Sequence, residues 1–170
     1  SRLVADVVLR GASSPPEHLV GRRIASMIGA PYASVNYLPA VPTVERLAQH
    51  QWIRWAAPWQ GLSVERWISA NVSPSHVLAT VDSVRTLTEL VAQGLGVGFL
   101  PCFSADIDPR VVRVGDRVDL GASIWLLTHD ELRKTGRIAA FMRCAGEALL
   151  QSRPEIEGPF PDDKTAKAPI

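Results

Sequence analysis

The sequence predicts an α/β fold, and two observations lead to it. Residues 81–101 (VDSVRTLTELVAQGLGVGFLP) combine an amphipathic run, a glycine-rich turn and a short apolar run that ends at Pro101. The amphipathic run is typical of a helix, and the apolar run has the length and flanks of a buried strand. Residues 52–100 alternate strand and helix patterns in the same way. This alternation favours βαβ units and a mainly parallel sheet.

The composition is that of a globular protein with one domain or two small lobes. The chain has 170 residues, of which 46% are hydrophobic and 21% charged, with a formal net charge of +1. This balance argues against direct binding to nucleic acid or to an anionic membrane. The two cysteines form no CxxC pair, no apolar run is long enough to span a membrane, and no signal peptide is visible. We therefore expect a cytoplasmic protein with reduced thiols.

Strand patterns dominate the first third of the chain. Residues 3–9 (LVADVVL) predict a buried strand, and residues 19–30 are compatible with a second one. Thr43 is expected to cap a short helix over residues 44–50. Residues 52–56 (WIRWA) are aromatic and β-branched, which predicts another strand.

The middle of the chain predicts two helices separated by a strand. Ser63 is expected to cap a helix that continues to Ala70, and residues 77–81 predict the strand. Asp82 or Ser83 is expected to cap the second helix, because a short polar side chain accepts from the free N–H groups of a first turn.

Three elements and a tail complete the prediction. Residues 111–112 predict an edge strand and residues 123–128 a buried strand. Residues 133–151 predict an amphipathic helix. Its expected apolar side consists of Ile138, Phe141, Met142, Ala145, Ala148 and Leu149. Residues 153–170 are rich in proline and acids and have little to bury, so we expect a disordered tail.

The glycines of the 81–101 run favour a turn over a nucleotide site. A phosphate-binding GxGxxG follows a strand and opens a helix. Here the order is reversed and the spacing is GxGxG, with Gly94 placed where a helix ends in a left-handed residue. Gly94, Gly96 and Gly98 therefore predict a tight helix-to-strand connection.

No pattern in the sequence predicts catalysis, a metal site or a cofactor. The four histidines lie in separate segments without the i, i+4 spacing of a helical metal site, and GxSxG is absent. Asp106 and Asp108 flank Ile107 in a proline-containing turn, where solvated acids are common. Cys102 follows a strand end, and we expect it to be buried as a small hydrophobic residue.

The 81–101 run resembles the effector-binding domain of LysR-type transcriptional regulators. The resemblance is carried by "L…LVAQGLGVGFLP" after Val81, Asp82 and Ser83. Other segments agree with the family in the same order: 3–9, 29–32 (GAPY, a turn into a short helix), 42–50 and 137–150 (the closing helix). The resemblance covers about residues 6–149, and the ordered combination is more specific than any one motif.

The resemblance implies a periplasmic-binding-protein-like (type 2) fold: two Rossmann-like lobes with a ligand cleft between them. Lobe I would comprise 1–51 and 118–152, and lobe II would comprise 52–117. The family pattern has a strand, a helix and another strand before residues 3–9, preceded by a helix-turn-helix and a linker helix. We therefore expect a C-terminal fragment in which lobe I is incomplete, with a weakened ligand site and an exposed edge beside residues 3–9.

The functional expectation is an effector-sensing domain. A small-molecule effector, such as a carboxylate or an aromatic acid, would bind between the lobes. A homodimer or homotetramer would pass the signal to DNA through an N-terminal domain. Two alternatives remain at this point: a stand-alone solute-binding protein, and an enzyme of the porphobilinogen-deaminase or prephenate-dehydratase type.

The predicted ligand site lies where loops follow strands, because ligands of α/β folds bind outside the carboxyl ends of strands. The loops are 10–14, 57–60 and 82–83. The helix that starts near Ser83 directs free N–H groups there, which suits a carboxylate or phosphate. Arg10 would add a cation and Trp59 a flat apolar wall. The predicted contacts are Arg10, Ala57, Pro58, Trp59, Asp82, Ser83 and Pro101.

Each of these residues also has a purely structural interpretation. Ser83 is equally explained as a helix cap, and this role is compatible with ligand contact. Trp59 is explained by packing, and Arg10 by a surface ion pair. Asp82 argues against a strongly anionic ligand unless its carboxylate faces away.

Overall fold

The structure is a computed structural model that describes residues 5–37, 44–57 and 59–158. Strands and helices are interspersed along this part of the chain. The strands are β1 (Val7–Ala12), β2 (Leu19–Ser34), β3 (Trp52–Trp55), β4 (Val77–Val81), β5 (Gly98–Pro101), β6 (Val111–Arg113) and β7 (Val118–His129). The α-helices are α1 (Ser63–Asn71), α2 (Val84–Ala92), α3 (Cys102–Ala105), α4 (Gly136–Gln151) and α5 (Arg153–Glu157). Short 3-10 helices span Val35–Tyr37, Val44–Gln49, Trp59–Gly61 and Pro74–His76.

Two long strands form the centre of the larger sheet. Its order is β1-β7-β2-β5, with β6 also paired to β2. All of these pairings are antiparallel. The expected mainly parallel sheet is therefore wrong for this part of the fold. The reason is that β2 pairs with strands that come much later in the chain, and local periodicity carries no information on such pairings.

The parallel arrangement is found in a smaller unit. β3 and β4 pair in parallel, and an isolated parallel bridge joins Trp52 to Val97 just before β5. The strand–helix–strand pattern of residues 52–100 is therefore confirmed locally. This unit places the carboxyl ends of β3 and β4 side by side.

β2 pairs with strands from both predicted lobes. Its first part pairs with β7, and its last residues pair with β5 and β6, which the sequence assigned to lobe II. The register of β2 with β7 shifts between Arg23 and Ala25 and between Ser26 and Ile28. The lobe boundary at residue 52 stays a prediction. The predicted turn at residues 29–32 is wrong, because these residues pair with β5 as part of β2, which runs for 16 residues.

The main core lies between the end of β2, the parallel unit and helices α1 and α2. Trp52 is fully buried at its centre, and the indole Nε1 donates to the carbonyl of Leu47 at 2.9 Å. A second, smaller cluster lies under α4, where Met142, Ala145 and Leu149 cover Ile24, Ala25 and Leu126. Burying these apolar side chains is the main source of stability for both clusters.

The closing helix is shorter and less buried than predicted. It begins at Gly136, and Phe141 and Ala148 are exposed although their spacing put them on the apolar side. Because α4 covers only the narrow cluster around Ile24, part of its apolar surface remains open.

The helix-end predictions are partly confirmed. Ser83 caps α2 by accepting from the backbone N–H of Thr86 at 3.5 Å, and Gly94 adopts a left-handed φ of +78°. The predicted Ser63 cap is wrong, because Leu62 is the N-cap residue of α1. The Ser63 hydroxyl instead donates to the carbonyl of Asp119 at 2.7 Å.

The predicted disorder after residue 152 is wrong for α5. Its Glu157 carboxylate accepts from the backbone N–H of Ser26 at 2.7 Å, so the helix is fastened to β2 beside the register shifts. Residues 159–170, and with them the rest of the predicted tail, lie outside the described residues. None of the helices in the described part of the chain is long and apolar enough to cross a membrane.

Candidate functional site

A small cavity lies where the end of β1 meets the start of α1. Its volume is about 120 Å³. The lining residues are Arg10, Gly11, Ala12, Ser13, Ser14, Trp59, Gly61 and Leu62. Residues from two of the three predicted loop segments, 10–14 and 57–60, therefore line one cavity. Residues 10–12 were expected in a loop, but they belong to β1, because this strand pairs with β7 as far as Ala12. The backbone before α1 forms the rest of the wall.

Trp59 connects this cavity to the third predicted loop. Its indole Nε1 donates to the backbone carbonyl of Asp82 at 3.2 Å. Its ring centroid lies 6.0 Å from that of Trp55 at the end of β3. The packing interpretation of Trp59 is thus confirmed, while its role as a ligand wall stays a prediction.

The close approach of Trp59 to β1 requires glycine at position 11. A Cβ atom at Gly11 would lie 3.0 Å from Cη2 of Trp59 and 2.9 Å from Sδ of Met27. Both distances are shorter than ordinary van der Waals contacts, which begin at 3.4 Å. Gly11 therefore sets how closely the indole approaches the β1 side of the cavity.

Arg10 supplies positive charge at the cavity. Its side chain is exposed, and within residues 5–37, 44–57 and 59–158 it takes part in no hydrogen bond or ion pair. The alternative interpretation of Arg10 as a salt-bridge residue therefore finds no partner in this part of the chain. A guanidinium beside an aromatic ring is a suitable environment for a carboxylate with an apolar body.

None of the other predicted contact residues lines this cavity within the described part of the chain. Asp82 and Ser83 follow β4, and neither lines the cavity. Asp82 contacts the cavity wall because its carbonyl accepts from Trp59, while Ser83 caps α2. Ala57 is exposed and Pro58 lies outside the described residues. Pro101 ends β5 in register with Gly29 and is absent from the lining, so the structure does not bring it to this cavity.

Sequence reasoning missed Glu65, which underlies the site. This carboxylate is 1% exposed and joins α1 to the end of β3, as Oε2 pairs with Nε of Arg54 at 2.8 Å. Its Oε1 accepts from the backbone N–H of Trp55 at 2.9 Å. The available signal was its position next to Val64 and three residues before Ile68, both of them buried. A charged residue on such a face indicates a buried partner.

A second, wider cavity lies between α3 and α5. Its volume is about 360 Å³, and its lining includes Cys102, Asp106 and Arg117. Arg117 pairs with Asp106 at 2.8 Å, and the buried hydroxyl of Tyr32 donates to the same carboxylate at 2.5 Å. Asp106 is therefore part of a structural network and not of a solvated turn. Burial, assisted by the hydrogen bond to Asp106, raises the pKa of Tyr32 well above its usual range.

The residues considered for metal or nucleophilic chemistry do not assemble into such a site. Burial raises the pKa of the Cys102 thiol, which keeps it protonated, in agreement with the predicted buried role. Within the described ranges, no group of three or more His, Cys, Asp or Glu side chains could hold a metal ion.

The family model for the LysR substrate binding domain matches residues 4–150. The chain belongs to this family. It is an effector-binding regulatory domain of the LysR type, as the sequence resemblance implied. The predicted α/β, periplasmic-binding-protein-like fold is confirmed. No finding favours the alternative of a stand-alone solute-binding protein. No curated protein sequence matches the chain.

Solved structures of similar fold come from the same class of regulator. The effector-binding domain of AmpR from Citrobacter freundii is 19% identical with a TM-score of 0.67, covering 86% of this chain and 75% of that one. The effector domain of AmpR of Pseudomonas aeruginosa is 17% identical with a TM-score of 0.69, covering 86% and 72%. The regulatory domain of CrgA from Neisseria meningitidis is 20% identical with a TM-score of 0.62, covering 85% and 75%. At these identities the likeness concerns the fold.

Proposed function

We propose that this domain binds a small organic acid in the cavity between β1 and α1, with Arg10 as its cation and Trp59 as its apolar wall. The observation that carries the proposal is that these two residues, distant in the sequence, line one cavity. An arginine fork binds a carboxylate with charge-assisted hydrogen bonds, and an indole face favours a flat apolar body.

The size of the cavity limits the ligand. A volume of about 120 Å³ is smaller than the ~300–1,000 Å³ typical of sites for drug-sized molecules. A short aliphatic acid or a single-ring aromatic acid, or the acidic end of a larger compound, therefore suits the cavity better than a nucleotide or a cofactor. The proposed role is the binding of an effector and not the catalysis of a reaction.

The bound acid would act through the arrangement of the two lobes. β2 extends from the elements beside the cavity to those of the main core, so a displacement at one end is passed along a continuous strand. An effector shifts such an equilibrium only if its affinity differs between the two arrangements. In the parent regulator, subunit contacts in a cytoplasmic homodimer or homotetramer would carry the shift to a DNA-binding domain.

The test is thermal unfolding with a panel of aliphatic and aromatic carboxylic acids. An acid at about 100 times its Kd stabilises the native state by ~2.7 kcal/mol. For a chain of this length, that corresponds to a rise in Tm of ~5–10 °C.

Two variants and one control locate the site. Arg10→Gln and Trp59→Ala should each reduce the ligand-induced rise in Tm. Arg143→Gln, which neutralises an exposed arginine on α4, should leave it unchanged. An acid that raises Tm equally in the wild type, Arg10→Gln and Trp59→Ala would bind elsewhere and contradict the proposal.

A further inference from the structure

Glu65 is the only charged residue that is fully buried in the part of the chain that the structure describes. It is 1% exposed and lies on the inner side of α1. A carboxylate at such a position is destabilising unless an ion pair and hydrogen bonds satisfy both of its oxygens. The contacts of Glu65 therefore show what it does in the fold.

Each oxygen of Glu65 binds a different donor on β3. Oε2 accepts from Nε of Arg54 at 2.8 Å, and Oε1 accepts from the backbone N–H of Trp55 at 2.9 Å. Arg54 also donates to the hydroxyl of Ser69, one helical turn after Glu65, at 2.9 Å. Two positions of α1 are thereby fixed to the last two residues of β3.

The carboxylate takes the place of a neighbouring strand at the end of β3. Ile53 donates its backbone N–H to the carbonyl of Val97 at 2.8 Å, as in a regular parallel ladder. Two residues later, the N–H of Trp55 meets Glu65 instead of a strand carbonyl. The ladder on this side of β3 therefore ends where the chain turns towards Trp59.

Trp59 depends on both elements that Glu65 joins. Its backbone N–H donates to the carbonyl of Ala56, just after β3, at 2.8 Å. Its own carbonyl accepts from the N–H of Leu62, the N-cap residue of α1, at 3.1 Å. The separation between β3 and α1 consequently determines where the indole lies relative to the cavity.

We propose that Glu65 is a positioning residue of the effector site. It fixes the end of β3 to the first turns of α1 and thereby holds the indole of Trp59 against the cavity. The inference rests on the proposed function for its biological meaning. The geometric part of it is testable without any ligand.

The first measurement is 19F NMR of protein labelled with 5-fluorotryptophan. The chain contains five tryptophans, and each signal is assigned by substituting that residue with phenylalanine. In Glu65→Asp, which keeps the charge but is shorter by one methylene, the signals of Trp55 and Trp59 should move. The signal of Trp125, on β7, should stay in place. A merely stabilising role would lower Tm and leave the Trp59 signal where it is, whereas Trp55 contacts Glu65 directly.

Two further variants complete the set. Glu65→Gln keeps the length and an acceptor oxygen for the N–H of Trp55, so its Trp59 signal should lie nearer to that of the wild type. Glu89→Asp is the matched control, because Glu89 also lies on a helix and pairs with an arginine, Arg110, at 2.9 Å. Its spectrum should show no change at Trp59. Amide exchange at Trp55 should rise about tenfold in Glu65→Asp and not in the control.

The outcomes are decisive for the inference and separate it from the proposed function. An unmoved Trp59 signal in Glu65→Asp would overturn it, as would equal movement in Glu89→Asp. Any acid that raises the Tm of the wild type should bind about tenfold more weakly to Glu65→Asp, and equal affinities would also overturn it. If no acid binds to the wild type, the proposed function fails, but the spectra still test whether Glu65 positions Trp59.

Discussion

Replacing Gly11 with alanine tests whether the contact between β1 and Trp59 shapes the cavity. The added Cβ atom would fall short of the 3.4 Å limit of ordinary contact by 0.5 Å at Sδ of Met27 and by 0.4 Å at Cη2 of Trp59. Both atoms are the ends of side chains, so they can move away without a break in the backbone. We expect Trp59 to be displaced and the fold to be retained.

The expected loss of stability follows from the crowding. Overpacking a well-packed site costs ~1–3 kcal/mol, and the lower end applies because only side-chain ends must shift. Alanine also restricts the unfolded chain, which stabilises the native state by ~0.4–1 kcal/mol. Gly136→Ala provides a control for this contribution, since a Cβ atom at Gly136 meets nothing within 4 Å. The difference in the free energy of unfolding between Gly11→Ala and Gly136→Ala therefore measures the cost of crowding alone. We expect it to be about 1 kcal/mol.

The assay compares Tm and the 19F signal of Trp59 in the two variants. A difference of about 1 kcal/mol corresponds to a Tm ~2–4 °C lower in Gly11→Ala than in Gly136→Ala. The Trp59 signal should move in Gly11→Ala alone. Equal Tm values together with an unmoved Trp59 signal would refute the conclusion that Gly11 determines the position of the indole.

Three other predictions concern a cap, a histidine and the thiols. Ser83→Ala should lower the free energy of unfolding in urea by ~0.5 kcal/mol, because the capping bond is long; no loss would contradict the cap. Burial, and then the charge of His76, lower the pKa of His50. The unfolded chain therefore binds more protons, and stability should fall as the pH drops below about 6.5. In urea titrations at several pH values, His50→Gln should weaken this pH dependence. An unchanged slope of the free energy of unfolding against pH would contradict the assignment to His50. Iodoacetamide should label the exposed Cys144 before the buried Cys102, as read by mass spectrometry; the opposite order would contradict the burial of Cys102.

The candidate site was only partly predictable from the sequence. Arg10 and Trp59 were identifiable because each follows a strand pattern, and strand ends are where α/β folds place ligands. Their meeting around one cavity depends on how β1 lies relative to α1, which no local pattern specifies. Pro101 was selected by the same argument and lies elsewhere, because β5 is held in register with β2.

The role of Glu65 was also only partly predictable from the sequence. Its burial could have been suspected from the neighbouring Val64 and Ile68, but its partner could not. The N–H of Trp55 needs an acceptor only because the ladder beside β3 ends there. That ending is a property of the assembled sheet.

The sequence by itself determined the features that depend on neighbours within a few residues. The helix α2, its Ser83 cap, the left-handed Gly94 and the strand that follows were all predicted, because capping, glycine conformations and apolar periodicity act over one or two turns. Only the tertiary structure decided the antiparallel pairing of β2 with β5, β6 and β7 and the contact of α5 with β2 through Glu157. These depend on contacts between residues far apart in the chain, whose energies appear only when the sheet is assembled.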